Sequence, residues 1–368
     1  MIARPALLLL ADGTAYRGGG IGPEGTSQGE AVFNTCMTGY EEALTDPSYA
    51  GQILVFCYPL IGNYGLDPAV RQHRTICVAG AVFKRVSRHP NHYRSQGTVP
   101  QWLDESGVRG IEGIDTRALV TRLREAGTMR AVLAVGERAV ADASGSLARY
   151  LGEPLDTPAL VRSVSVARDH TEGGGPLRVG LLDCGTKQNI VRCLADCGAE
   201  VVEVPCDATS AHLHELGLDG LVVSNGPGDP AGLERVVGTL RDTIAHEDLP
   251  MLGICLGHQL LAEALGAKTY KLKYGHRGGN QPVMDCRSGD VIITAQNHGY
   301  AVDPATLPPD VEQTLINLND GTNEGLRHRR LPIASVQFHP EASPGPADAR
   351  GIFAEFIATV REHKEATR

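Results

Sequence analysis

A cysteine flanked by glycines, in Gly253-Ile254-Cys255-Leu256-Gly257-His258-Gln259, and a later Phe338-His339-Pro340-Glu341 supply a thiol, an imidazole and a carboxylate. Those are the three groups that nucleophilic acyl transfer needs. An imidazole beside the thiol takes its proton and later protonates the leaving group, while a carboxylate fixes the ring tautomer. The cysteine follows an apolar run, residues 249–254, and precedes a helix-like stretch, residues 260–265. That is the strand, sharp turn and helix of a nucleophile elbow, with cysteine in place of serine. Such a turn aims its side chain at solvent, and the N–H groups of the helix start favour a thiolate. His339 and Glu341 stand two apart at the end of the apolar run 333–338, and alternate residues of an extended segment share a face. Alone, His339 would read as a hydrogen-bonded core histidine beside a surface glutamate. With the elbow in the same chain, Cys255 is the expected nucleophile, His339 the proton shuttle and Glu341 its orienter.

Gly226-Pro227-Gly228-Asp229-Pro230 reads first as a strand-to-helix turn. Beside a cysteine nucleophile its glycines can also bring backbone N–H groups to a substrate oxygen, as in an oxyanion hole. The loop is not G-x-G-x-x-G, and no G-x-x-x-x-G-K-[ST] occurs, so no ATP site is expected on this chain. His258, His276 and His298 match no ligand spacing, and no metal is expected. Cys193 and Cys197, four apart on a helical pattern, read as small hydrophobes, and the residues after Cys184 form no elbow.

These groups need a scaffold. Breakers accumulate at Glu153-Pro154, Thr157-Pro158 and Gly173-Gly174-Gly175-Pro176, which predicts a linker over 153–176 between a domain 1–152 and a domain 177–368. After it, strand-like runs at 177–183, 200–204 and 220–224 alternate with helical ones at 187–197 and 233–246, ahead of the elbow. This predicts an α/β domain with a parallel sheet covered on both faces. Ligands bind at the carboxyl ends of such strands, where Asp183, residues 225–230 and Cys255 fall. A closing helix is expected at 347–362. The first domain reads as mixed α/β, with an initial hairpin, a short strand at 76–83 and an amphipathic helix at 116–125.

With 368 residues the chain is long enough for two cores. A formal charge of −9 argues against nucleic acid or an anionic membrane as the main partner. No apolar run reaches the roughly 20 residues that span a bilayer. Leu7 to Leu10 is too short for a signal core and reads as a strand. Nine cysteines without paired spacing suit a reducing compartment, the cytoplasm.

Taken together, the elbow and the Phe-His-Pro-Glu segment resemble the class I (triad) glutamine amidotransferases. The first domain narrows this. Phe33-Asn34-Thr35-Cys36-Met37-Thr38-Gly39-Tyr40-Glu41-Glu42, Thr45-Asp46-Pro47-Ser48-Tyr49, Pro59-Leu60-Ile61-Gly62-Asn63-Tyr64-Gly65 and Gly113-Ile114-Asp115-Thr116-Arg117 are similar to the small subunit of carbamoyl-phosphate synthetase. So are Gly275-His276-Arg277-Gly278-Gly279-Asn280, Gln296-Asn297-His298-Gly299 and Glu341-Ala342-Ser343-Pro344-Gly345-Pro346. The resemblance implies that Cys255 attacks the side-chain amide of L-glutamine and forms a γ-glutamyl thioester that water hydrolyses. It implies that Gly226, Gly228 and Leu256 bind the amide oxygen or substrate backbone, that Gln259 and Ser48 hold the amino-acid end, and that Asn297, Gly299 and Tyr300 line the pocket. It also implies a heterodimer with a large subunit that uses ATP and Mg to make carbamoyl phosphate from bicarbonate and channelled ammonia, for arginine and pyrimidine synthesis. Cys36 and Tyr300 depart from the serine and phenylalanine common in the family. Two rival readings are a glutaminase for anthranilate or guanylate synthesis, which leaves the first domain unexplained, and a silent docking subunit, which predicts a broken triad.

Overall fold

The computed structural model describes residues 4–367. The chain divides into two compact units between Leu155 and Asp156.

In the first unit seven strands close into a barrel: β1 (Pro5–Leu10), β2 (Ala15–Ile21), β3 (Gly25–Asn34), β4 (Gln52–Phe56), β5 (Gly80–Val82), β6 (Arg109–Glu112) and β7 (Met129–Val135), in the order β1-β2-β6-β5-β4-β3-β7. β1 and β2 are the expected hairpin, with Leu8 opposite Tyr16. The strand expected at 76–83 is only three residues long. The amphipathic helix Thr116–Ala126 is capped by the Asp115 side chain, which accepts from Ala118 N–H, and buries Leu119, Val120 and Leu123. Closure removes sheet edges, and aliphatic residues of β1, β3, β4 and β7 are buried.

The second unit is built on one sheet of ten strands: β8 (His170–Gly173), β9 (Leu177–Asp183), β10 (Ala199–Pro205), β11 (Gly220–Val223), β12 (Met251–Ile254), β13 (Thr269–Asp285), β14 (Val291–Val302), β15 (Val311–Asn317), β16 (Asn323–His328) and β17 (Ile333–Val336). They lie in the order β8-β10-β9-β11-β12-β17-β16-β15-β13-β14. β10, β9, β11, β12 and β17 are parallel, as the alternation of strands and helices predicts. Antiparallel strands extend the sheet on the far side of β17, and antiparallel β8 edges it on the other, beyond the parallel strands that the alternation predicts. Polar and glycine residues interrupt the apolar pattern of β13 and β14, as half-exposed antiparallel strands allow.

Both faces of the parallel part are covered. Leu182, Val202, Leu221 and Val223 pack with helices α3 (Glu234–His246) and α4 (Leu256–Ala264) on one side. On the other, Val179, Leu181, Val201 and Val222 pack with α2 (Gln188–Asp196) and the closing helix α5 (Gly351–Ala366). The segment read as a linker is structured instead: it holds helix α1 (Thr157–Val164) and strand β8. Asp156 caps α1 by accepting from Ala159 N–H, and proline sits in its first turn, so the same residues that break a chain also start this helix.

Candidate active site

Cys255 is the single residue between β12 and α4. It is held at φ 55° and ψ −103°, a conformation that costs a non-glycine residue about 1–3 kcal/mol. Its N–H donates to Val336 O on β17 at 2.9 Å, and its carbonyl accepts from Gln259 N–H at 3.3 Å. Sheet and helix therefore grip the turn from both sides. The flanking glycines let it pass: a Cβ on Gly257 would stand 2.0 Å from Val223 O, and one on Gly253 would stand 2.6 Å from Gly257 O. The helix starts directly after the cysteine, earlier than the apolar pattern at 260 indicated. The thiol is also less open than an elbow side chain is expected to be, since Cys255 is 2% exposed. The β14 backbone lies close to it, with Asn297 O 3.7 Å from Sγ.

His339 follows β17, and its N–H donates to Ala295 O on β14 at 2.8 Å. The chain then turns, with Ala342 N–H donating back to His339 O at 3.1 Å and Ala342 at φ 57°. Residues 339–342 thus form a turn where an extended segment was expected, and the turn brings Glu341 Oε1 to 2.6 Å from His339 Nδ1. His339 Nε2 has no hydrogen-bond partner among the described residues, and the Cys255 thiol lies within its reach. Lys187 Nζ stands 3.0 Å from the same Glu341 oxygen, and both residues are buried. Lys187 also donates to Ala342 O. Burial alone would raise the Glu341 pKa, but Lys187 and His339 hold it well below the ordinary carboxylate value. Burial opposes protonation of His339 too, and the Glu341 charge outweighs it, so the imidazole is raised well above its ordinary value. The arrangement favours an imidazolium held by a carboxylate and directed at the Cys255 sulfur.

Around this core lie most of the other expected residues. At Gly226 a Cβ would meet Cys184 O at 2.1 Å and Leu256 Cδ2 at 2.8 Å, so the glycine loop rests on the elbow. Gly228, at φ 95°, abuts Thr157 of α1, whose hydroxyl accepts from Asp229 N–H at 3.1 Å. Gln259 Nε2 donates to Tyr300 O at 2.8 Å and to Gln337 Oε1 at 3.0 Å, so its amide group holds the strand that carries Asn297, Gly299 and Tyr300. Ser48 belongs to the first unit. It sits in the short turn Pro47–Tyr49, where its N–H donates to Asp46 Oδ1 at 2.9 Å.

Of the three histidines weighed as metal ligands, His258 stands apart from the other two. His258 Nδ1 meets Ser335 Oγ at 2.8 Å, and burial pulls its pKa down to about 3. The pairing of β13 with β14 sets His276 opposite His298, their rings 4.9 Å apart, with Glu324 alongside. The ring nitrogens of His298 already face Tyr300 O and Gln296 Oε1.

Sequence reasoning missed Lys187 and Asn189. Asn225 Oδ1 accepts from Lys187 N–H at 3.1 Å, and Asn189 Nδ2 donates to Glu341 O. The available signal was the polar run Asp183-Cys184-Gly185-Thr186-Lys187-Gln188-Asn189 at the carboxyl end of a core strand.

Two family models match the chain: "Carbamoyl-phosphate synthase small chain, CPSase domain" over residues 8–133, and "Glutamine amidotransferase class-I" over residues 180–359. Proteins named carbamoyl phosphate synthase small chain are similar over almost the whole length. That of Symbiobacterium thermophilum is 45% identical, covering 98% of this chain and 99% of the relative. That of Akkermansia muciniphila is 45% identical, covering 97% and 99%. That of Archaeoglobus fulgidus is also 45% identical, covering 98% and 99%.

Proposed function

Because the chain belongs to the carbamoyl-phosphate synthase small chain family and carries its glutamine amidotransferase domain, we propose that Cys255, His339 and Glu341 hydrolyse L-glutamine through a glutamyl thioester. The observation that carries this reading is the elbow cysteine within reach of an imidazole that is itself paired at 2.6 Å with a buried carboxylate. His339 takes the thiol proton beforehand, leaving an imidazolium paired with a thiolate, and the Cys255 thiolate then attacks the side-chain amide carbon. The tetrahedral intermediate collapses as His339 protonates the departing ammonia, and water, deprotonated by His339, then releases glutamate and regenerates the thiol. Gly226, Gly228 and Leu256 supply backbone N–H groups to the amide oxygen or substrate backbone, Gln259 helps hold the amino-acid end, and Asn297, Gly299 and Tyr300 line the pocket.

The ammonia passes to a large subunit that binds ATP and Mg and makes carbamoyl phosphate from bicarbonate, for arginine and pyrimidine synthesis. This chain needs no cofactor of its own for its half of the reaction. The match of residues 8–133 to the small-chain domain favours this acceptor over anthranilate or guanylate synthesis. Acid quenching of the chain with isotope-labelled glutamine, followed by peptide mapping, tests the thioester. Label is expected on the Cys255 peptide and is expected to vanish in Cys255→Ser; label on another cysteine, or none during turnover, refutes it.

A further inference from the structure

The β8 edge of the second unit's sheet lies four strands away from β12. There β8 pairs antiparallel with β10, with His170 directly opposite Glu203 and Glu172 opposite Val201. Opposed and alternate residues share a face, so His170, Glu172 and Glu203 project together, on the side where Val201 packs with Ile190, Val191 and Leu194 of α2. One donor atom from each of the three lies within 4.8 Å of the other two, and His170 Nε2 is 3.5 Å from Glu172 Oε1. Glu172 also accepts from Gln188 Nε2 at 3.1 Å.

Glu203 is the unusual member. It is 7% exposed, yet its carboxylate has no hydrogen bond or ion pair among the described residues. A buried acid aimed at a second acid and an imidazole needs a positive charge, and either a proton or a metal ion supplies one.

We propose that His170, Glu172 and Glu203 bind a divalent transition-metal ion of the zinc type, with water completing the coordination. One imidazole and two carboxylates form a donor set that suits zinc and its first-row neighbours better than magnesium, which prefers oxygen alone. Ligand distances of about 2.0–2.2 Å require the donors to close in. His170 and Glu172 are the side chains able to do so, being 58% and 39% exposed. The ion would tie β8 to β10 and so fasten the end of the segment that leads into the sheet. Spacing rules overlook this site because its donors are a His-x-Glu pair on one strand and a lone glutamate on another.

The test uses the full chain, stripped with a chelator and titrated with Zn2+ by equilibrium dialysis. Co2+ absorption serves as a second probe, because nine cysteines offer alternative ligands. Expected are one Zn2+ per chain, no thiolate-to-cobalt charge-transfer band, and binding weakened about tenfold or more in both Glu203→Gln and His170→Ala. Zn2+ should raise the Tm of the wild type and not of either variant. Circular dichroism checks folding, and His170→Ala alters an exposed side chain, so loss of binding there is not a folding defect. Glutamine hydrolysis should be the same in all three proteins. Equal Zn2+ affinity in the variants, a thiolate band, or only weak binding without stoichiometry would each overturn the proposal.

Discussion

Glu341 uses one carboxylate oxygen for both His339 and Lys187, and both pairs are buried. A carboxyl with a depressed pKa in the folded state stabilises the fold above its ordinary value of 4.5 and loses that contribution as pH falls through the folded value. Lys187→Met removes one of the two charges that hold it down. Removing one partner of a buried pair costs about 3–5 kcal/mol, which urea denaturation at neutral pH should show. The acid limb of the kcat/KM profile for glutamine should move to higher pH, and an unchanged profile would mean that Lys187 plays only a packing role. Glu203 has the opposite sign. Its raised carboxyl contributes stability that is complete below pH 4.5 and lost as pH rises through about 7, so in metal-free protein Glu203→Gln should flatten the stability curve across that window. Cys255, His339 and Glu341 were legible because each sits in a short motif whose residue types imply a reaction. Lys187 was not, because its burial depends on a contact with residue 341 that no local pattern records.

At the scale of elements, the elbow works because glycine lets β11 and α4 come close. Gly257→Ala would push a Cβ against Val223 O, a backbone atom that cannot swing aside. Overpacking of this kind typically costs 1–3 kcal/mol, and thermal unfolding should show it together with loss of glutamine hydrolysis; a variant as stable and active as the wild type would contradict the account of the turn. Helix α1 is the element that breaker counting misread. Thr157-Pro158 looks like punctuation in sequence, yet it opens a helix, capped by Asp156, whose Thr157 supports the Gly226–Pro230 loop. Thr157→Val keeps the shape and removes the hydrogen bond, worth about 1 kcal/mol. Its expected signature is a several-fold rise in KM for glutamine with kcat little changed. The antiparallel strands β13 to β16 stayed hidden for a different reason. Half-exposed strands with glycines and bulges lack the continuous apolar runs that exposed the parallel half, and the His276–His298 pairing follows from their register alone.

Over the whole molecule, the chain is one barrel unit and one amidotransferase unit, both of which the family models recognise. The barrel was the least legible part: it mixes parallel and antiparallel pairs, and closure leaves no repeating pattern along the sequence. No described helix is long and apolar enough to cross a membrane. The most direct measurement is carbamoyl phosphate formation by this chain co-purified with its large subunit, supplied with ATP, bicarbonate and either glutamine or ammonia, wild type beside Cys255→Ser. The account predicts that both proteins use ammonia and only the wild type uses glutamine; equal use of glutamine by the two would contradict it.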